Sequence, residues 1–385
     1  MLLRSTSAIL GITVVLSFAG AADSAEVRAI WVTRWDFQSE RDVETIVHNC
    51  AGLGLNRIYF QIRGRADAFY RSRYEPWAEE LGGRDPGFDP LAVAIRECRK
   101  RNIELHAWGN VMAGWKGKKL PKNRHHLVHR RPDWFLYDRF KNRHLLGDHY
   151  TILNPCLPEV RAYLAKVFAD IARRYPVDGM HLDYIRFIAE GDRDRQAVPY
   201  DNRTLSDFRK LTGGFPVRHP NRWNTFRRQA IDLVVKDVSS AVRTARPGCI
   251  VSAAVLRDFS RARTNYFQDA RQWRKERWVD EIVPMNYEKG TTRFRQHLQN
   301  ANRDVGREAH ICGVGMYLVP SANEFTRQVQ TLRAERARGY AIFAYASLYP
   351  TKSHASRSGA KAVRSRRAMR EALQRLNRGA LARRQ

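Results

Sequence analysis

The stretch PVDGMHLDYIRF, Pro176 to Phe187, decides how the chain is read. Side chains alternate along an extended strand, so His181 and Asp183 share one face while Leu182 and Tyr184 share the other. We take the first face as inward, as in a strand lining a barrel. Barrel chemistry sits at the C-terminal ends of the strands. Asp183, near that end with Arg186 close by, is a candidate nucleophile or charge stabiliser. A structural Asp paired with Arg186 is the alternative.

Strand-like and helix-like runs alternate on both sides of this stretch. Strands are predicted over Val27 to Trp35, Asn56 to Arg63, Ile103 to Val111, Val177 to Phe187, Cys249 to Leu256, Val279 to Tyr287, Ala309 to Leu318 and Tyr340 to Leu348. Helices are predicted between them over Arg41 to Leu53, Asp89 to Arg101, Pro158 to Arg174, Arg222 to Arg246, Tyr266 to Arg277, Thr291 to Asn302 and Ser321 to Arg338. Eight such units match an α/β fold of the (β/α)8 TIM barrel type, as a single domain over residues 26–350. An open doubly wound sheet is the rival. No Gly-x-Gly-x-x-Gly follows the first strand, which weakens its dinucleotide-binding form. Long connections follow strands two, three and four, on the face where a barrel works.

Strand six ends VPMNYEKG, Val283 to Gly290. Asn286 and Glu288 share a face, with Glu288 at the mouth. Glycosidic hydrolysis needs one group to protonate the leaving oxygen and a carboxylate to attack or activate water. Asp183 and Glu288, on strands two apart, are the candidate pair, with a solvated loop position as the plain alternative for Glu288. Aromatic and planar polar side chains recur at other strand ends: Trp35; Gln61, Arg63 and Arg65; His106, Trp108 and Asn110; Tyr345 and Tyr349. With His181, Arg186, Asn286 and Tyr287 they form the expected substrate-binding set, since sugars take flat apolar walls with a few directed polar groups. His125, His126, His129 and Asp133 show no metal-ligand spacing, so no metal is expected. No cofactor is expected either: there is no phosphate-cradling loop, and no G-x-S-x-G elbow for serine chemistry.

The chain has 385 residues, 43% hydrophobic and 11% aromatic, which is ample for a buried core. Lys and Arg number 68 against 39 Asp and Glu, a net of +29. An anionic partner is one reading and an Arg-favouring genome the other. Specific nucleic-acid binding is not expected, because no reader motif accompanies the charge. Arg4, the apolar run Ala8 to Phe18 and Ala19-Gly20-Ala21-Ala22 predict a signal peptide within residues 1–25. Cleavage is expected after Ala21 or Ala22, or otherwise Ala25, giving a periplasmic or secreted protein. An uncleaved anchor is the alternative. The five Cys are widely spaced and form no zinc pattern. They read as small buried residues, with a Cys50–Cys98 bond as the one pairing considered. Residues 351–385 carry 11 Lys or Arg and one Glu, and read as a basic helical tail. The tail is either solvated or an electrostatic contact to an anionic envelope polymer or membrane surface.

Several stretches resemble the glycosyl hydrolase-like 10 family: EVRAIWVTRWDF (Glu26 to Phe37), NRIYFQIRGRADAFYRSRYEPWAEEL (Asn56 to Leu81), GFDPLAVAI (Gly87 to Ile95), IELHAWGNV (Ile103 to Val111), DHYTILNPCLPEVRAYL (Asp148 to Leu164) and PVDGMHLDYIRF. The second half of the chain is similar in layout more than in letters. The resemblance implies an exported bacterial TIM-barrel glycosidase acting on a polysaccharide, with some members associated with peptidoglycan glycan strands. It maps the strand-four motif onto His181, Asp183 and Tyr184. Related barrels place carboxylates after strands four and six, which implies Asp183 and Glu288. The ending Pro284-Met285-Asn286-Tyr287-Glu288 departs from the family's usual strand-six pattern. A catalytically inactive glycan-binding barrel is the rival function.

Overall fold

The computed structural model describes residues 26–142, 147–187, 198–350 and 360–382. The expected signal peptide lies outside the described residues. Eight parallel strands form the barrel: β1 Val27–Val32, β2 Arg57–Arg63, β3 Glu104–Asn110, β4 Gly179–Asp183, β5 Ile250–Leu256, β6 Glu281–Met285, β7 Ile311–Gly315 and β8 Gly339–Phe343. They run β6-β5-β4-β3-β2-β1-β8-β7 by hydrogen-bonded neighbours. A parallel bridge between Ile282 and His310 joins β6 to β7 and closes the ring. β1, β4, β6, β7 and β8 end two or more residues before the strands expected from sequence, where the chain turns into the loop at the mouth, while β2 and β5 end as expected, at Arg63 and Leu256.

Helices α1 Glu40–Gly52, α2 Pro90–Arg99, α3 Pro158–Arg174, α4 Pro220–Ala245, α5 Ala270–Lys275, α6 Thr291–Val305 and α7 Ala322–Ala334 lie outside the strands. Local sequence sets their starts. Ser39 and Asp42 form a capping box on α1, and Pro158 occupies the first turn of α3, where its missing N–H costs nothing. Along α3, Val160, Leu164, Val167, Phe168 and Ile171 recur at helical spacing and are buried against the sheet. The helix expected over Tyr266 to Arg277 is shorter, Ala270–Lys275, and a second short helix, Phe259–Asn265, precedes it. Asp258 and Asp269 each cap one of them.

The C-terminal segment corrects the sequence reading. Ala360–Ala382 is not a solvated tail but α8, the eighth helix of the barrel. Met369, Ala372 and Leu373 join the main core. The buried Asn377 donates to the Leu53 carbonyl (2.7 Å) and accepts from the Tyr340 hydroxyl (2.6 Å). The division at residue 350 therefore cuts through one packed unit. All five Cys are buried and free, so the Cys50–Cys98 bond is not formed. No helix among the described residues is long and apolar enough to cross a membrane.

The lumen is filled in layers. At the N-terminal end Arg57 bonds Glu104 and Glu281, both at 2.6 Å. Above it, the imidazole of His181 stacks on Tyr59 with centroids 3.9 Å apart. Trp31 donates to its Nε2 at 2.9 Å, so Nδ1 carries the proton and faces Ser252 Oγ at 2.8 Å. The layer at the mouth holds Asp183.

Candidate active site

Asp183 is the last residue of β4, in register with Asn110 of β3. Its Oδ1 accepts the Tyr184 N–H at 2.6 Å and lies 3.5 Å from Arg186 Nη1. Burial pushes the carboxyl above its ordinary value. Arg186, the Tyr184 N–H and the Trp108 indole oppose this without reversing it. The chain leaves the strand through Tyr184 at φ 52, a left-handed conformation that costs a non-glycine residue energy. That bend turns the Tyr184 ring outward, where the Arg186 guanidinium lies 4.4 Å over it.

Sequence reading missed the next group. The connection from β3 builds a hairpin from Ala113–Gly117 and Gly147–Ile152. It carries Tyr150 to the mouth, 4.7 Å from the Tyr184 ring by centroids. Arg34 donates to the Tyr150 hydroxyl at 3.0 Å, and its guanidinium lies 3.9 Å over Trp35. Lys116 Nζ is 5.6 Å from the Tyr150 ring. Trp35, Tyr150 and Tyr184, interleaved with Arg34, Lys116 and Arg186, make an aromatic and cationic shelf running from Asp183 outward. Gly64 is required beneath it, since a Cβ there would meet Arg34 Cδ at 2.7 Å. The sequence signal was the Arg34-Trp35 pair and the Tyr150 stretch. Neither shows, without the hairpin, that the two meet.

The far wall comes from β6. Glu281 and Val283 point into the lumen. Tyr287, rather than Glu288, follows them inward. Its ring stacks on Phe343 at 5.5 Å and meets Trp31 and Tyr317 edge-on. The Asp183 charge adds to burial in raising its phenol well above the ordinary value. Gly315 makes room, as a Cβ there would meet Tyr287 Cβ at 2.7 Å. Asn286 faces the helix layer instead and donates to the Phe294 carbonyl of α6 at 2.9 Å. The Glu288 carboxylate lies 3.1 Å from Arg257 Nε and 3.6 Å from His297 Nε2 on α6. With Tyr287, Lys289, Gly290, Thr292, Arg293 and Leu318, Glu288 lines a cavity of about 400 Å³ at the rim. Asp183 and Glu288 thus hold separate partners.

The remaining expected residues divide by burial. Trp108 packs edge-on to His181 beneath Asp183, and Trp35 stays 39% exposed at the mouth. Arg65 bonds Asp67 and Glu80 over the Trp115 ring. Gln61 is buried and accepts the Arg34 N–H. Arg63 is fully buried, held by Glu75 and by the carbonyls of Asn110 and Val111. Asn110 donates to the Gly64 carbonyl, and His181 is sealed in the lumen. Tyr345 turns away from the lumen and bonds Asn49 of α1. Gln61, Arg63, Asn110, His181 and Asn286 are buried behind the exposed rings, and Tyr345 lines a separate cavity that it shares with Trp35. His126 and His129 donate to the carbonyls of Arg65 and Pro121, and Asp133 pairs with Arg131.

Comparison with known proteins fits this arrangement. The model of the family described as glycosyl hydrolase-like 10 matches residues 26–330. The chain belongs to that family. It is 27% identical over 305 residues to glycosyl hydrolase YngK of Bacillus subtilis, covering 70% of this chain and 55% of that protein. It is also 27% identical over 256 residues to glycosyl hydrolase DigH of Escherichia coli K12, covering 61% and 55%. The chain thus spans about half the length of these relatives. Among solved structures, the PgaB (BpsB) glycoside hydrolase domain from Bordetella bronchiseptica superimposes with a TM-score of 0.60 at 14% identity, over 90% of this chain and 99% of that domain. A β-galactosidase from Marinomonas ef1 gives 0.65 at 11% identity, over 92% and 60%. At those identities the likeness is one of fold.

Proposed function

We propose that the protein hydrolyses O-glycosidic bonds of a polysaccharide of the cell envelope, with peptidoglycan glycan strands as the first substrate to test. The observation that carries this reading is Asp183: a buried carboxylate at the end of β4, with Arg186 against it and an aromatic shelf leading away. A carboxylate held there can bond to the anomeric carbon or stabilise positive charge on it, while the flat rings hold the sugars. Glu288, at the rim, is the proposed acid that protonates the leaving oxygen. In keeping with the apolar run at the N-terminus, the protein acts after export, in the periplasm or outside the cell. The outward face of α8, with Arg364, Arg367, Arg375 and Arg378 exposed, is the proposed contact for anionic envelope polymer.

Turnover of purified glycan strands tests the reading. Asp183→Asn is expected to lower kcat at least about 10³-fold with substrate binding largely kept, because the lost charge matters mainly in the transition state. Glu288→Gln should harm natural glycans more than activated aryl glycosides, whose leaving groups need no proton. Equal losses would remove Glu288 from the acid role. The separate partners of Glu288 favour one second reading, an inactive glycan-binding barrel. Glycan binding without turnover in the unsubstituted protein would establish that reading instead. Finding residues 1–25 retained on protein recovered from the envelope would replace the signal peptide with an anchor.

A further inference from the structure

The connection from β4 to α4 carries a feature that the proposed reaction does not use. Its helix, Asn202–Thr212, is pinned from beneath. The buried Phe208 meets Trp223 at 4.9 Å and Phe226 at 5.6 Å by centroids, and those two rings stack on each other at 5.5 Å. Asp201 caps the helix through the Thr204 N–H and accepts from Asn154 at 2.7 Å. Gly213 ends it at φ 75, and a tight turn, Pro216–Arg218, leads back into α4. The segment is therefore preformed, and its inner side is already satisfied.

Its outer side is not. Leu211 is 68% exposed, Phe215 48% and Val217 83%: three large apolar side chains within seven residues. Single exposed apolar residues are ordinary, but a cluster at a fixed tip marks a contact surface. The rim is cationic. Arg209 lies 5.3 Å over the Phe215 ring, and Lys210, Arg218 and Arg222 are exposed around it. Asp207 is the one acidic residue in 205–222.

We propose that this tip seats in the headgroup region of a lipid bilayer that carries anionic lipid. Apolar tips gain by leaving water for the acyl boundary, while flanking Lys and Arg meet the lipid phosphates. A soluble polyanion would engage the cations and leave the apolar side chains in water. A second copy of the chain would bring two cationic rims together, which is repulsive. The tip belongs to a βα connection, so docking holds the barrel mouth toward the membrane surface. The proposal does not depend on the hydrolase reading.

The test uses the full chain with phosphatidylcholine vesicles, with and without phosphatidylglycerol. In about 0.3 M salt, where the rest of the basic surface is largely screened, co-sedimentation with phosphatidylglycerol vesicles is expected. A Leu211→Ser/Phe215→Ser/Val217→Ser variant should partition at least about 10-fold more weakly, with its thermal melting unchanged. Val217→Cys carrying an environment-sensitive dye supplies a second readout, since the five native Cys are buried. Its emission should shift to the blue on these vesicles. Equal partitioning of the variant and the unsubstituted chain overturns the proposal, as does an unresponsive dye. Self-association in sedimentation velocity that the triple variant abolishes also overturns it, and assigns the tip to a second copy.

Discussion

At the scale of single residues, the site turns on what surrounds Asp183. Burial raises its pKa and Arg186 restrains the rise. In the proposed role of nucleophile this carboxylate must be ionised, so activity is expected to fall as pH drops through its folded value. The acid limb of kcat/KM is expected above the ordinary Asp range, and Arg186→Gln should move it higher still. An unmoved limb in that variant would detach the limb from Asp183. A second expectation concerns the pair Arg63–Glu75, both fully buried. Glu75→Gln leaves an uncompensated guanidinium and should cost about 3–5 kcal/mol in denaturant unfolding. The phase of His181 and Asp183 was legible from alternation alone. For the end of β6, alternation groups Asn286 with Glu288, and in the structure each has a partner on α6, the Phe294 carbonyl and His297. Period two does not say which group faces the lumen. That is decided by Glu281 meeting Arg57, a contact 224 positions apart in sequence. The same limit made Arg63 read as a ligand: its partner Glu75 lies in a loop whose path has no periodic signal.

Among the elements, the eight strands and most helices were legible because the helices carry apolar residues at helical spacing and most begin at a capping side chain or a proline. The part not legible was where function begins: the hairpin that brings Tyr150 to the mouth, and α8. The charge of α8 concealed its role. Eleven Lys and Arg in residues 351–385 suggested a solvated segment, yet the apolar minority falls at Met369, Ala372, Leu373 and Leu376, one stripe at helical spacing. Removing residues 360–385 is therefore expected to destabilise the barrel rather than only lower its surface charge. Exposing the groove that takes Met369 and Leu373, and leaving Tyr340 and the Leu53 carbonyl unpaired, should cost about 5 kcal/mol. That is a drop of about 7 °C in thermal unfolding for a unit of this size. Charge-reversing substitutions on the exposed face, Arg364→Glu and Arg378→Glu, should leave the melting temperature within about 2 °C. An unchanged melting temperature in the truncated chain would mean that α8 is dispensable to the fold.

Across the whole molecule, buried neutral histidines set the response to acid. His106, His126, His181 and His310 all have depressed pKa values, chiefly because burial penalises their charged forms; His126 falls to about 4 and His310 to about 3. Once unfolded, each takes up a proton below about pH 6.5. The unfolded state then binds more protons than the folded one, so stability falls as pH drops from 6.5 toward 4. Asp232 acts the other way. Burial raises its carboxyl to about 6, so the folded state keeps a proton that the unfolded chain releases, and stability rises as pH falls through 6 toward 3.8. At about 1.4 kcal/mol per pH unit for each proton, four histidines outweigh one aspartate, and acid loses. Glu104, held down to about 2 against burial by His106 and Arg57, adds a further loss below about pH 4.5. Urea unfolding at pH 7.5, 6 and 5 should show stability falling at each step. His126→Gln should make the fall shallower by about one proton, because an amide can still donate to the Arg65 carbonyl that holds the imidazole. A pH-independent midpoint would show that these histidines take up protons as readily in the folded chain as in the unfolded one. The imidazole of His181 would then be charged below about pH 6.5, where its Nε2 could no longer accept from Trp31, and the layer beneath Asp183 would have to rearrange in acid.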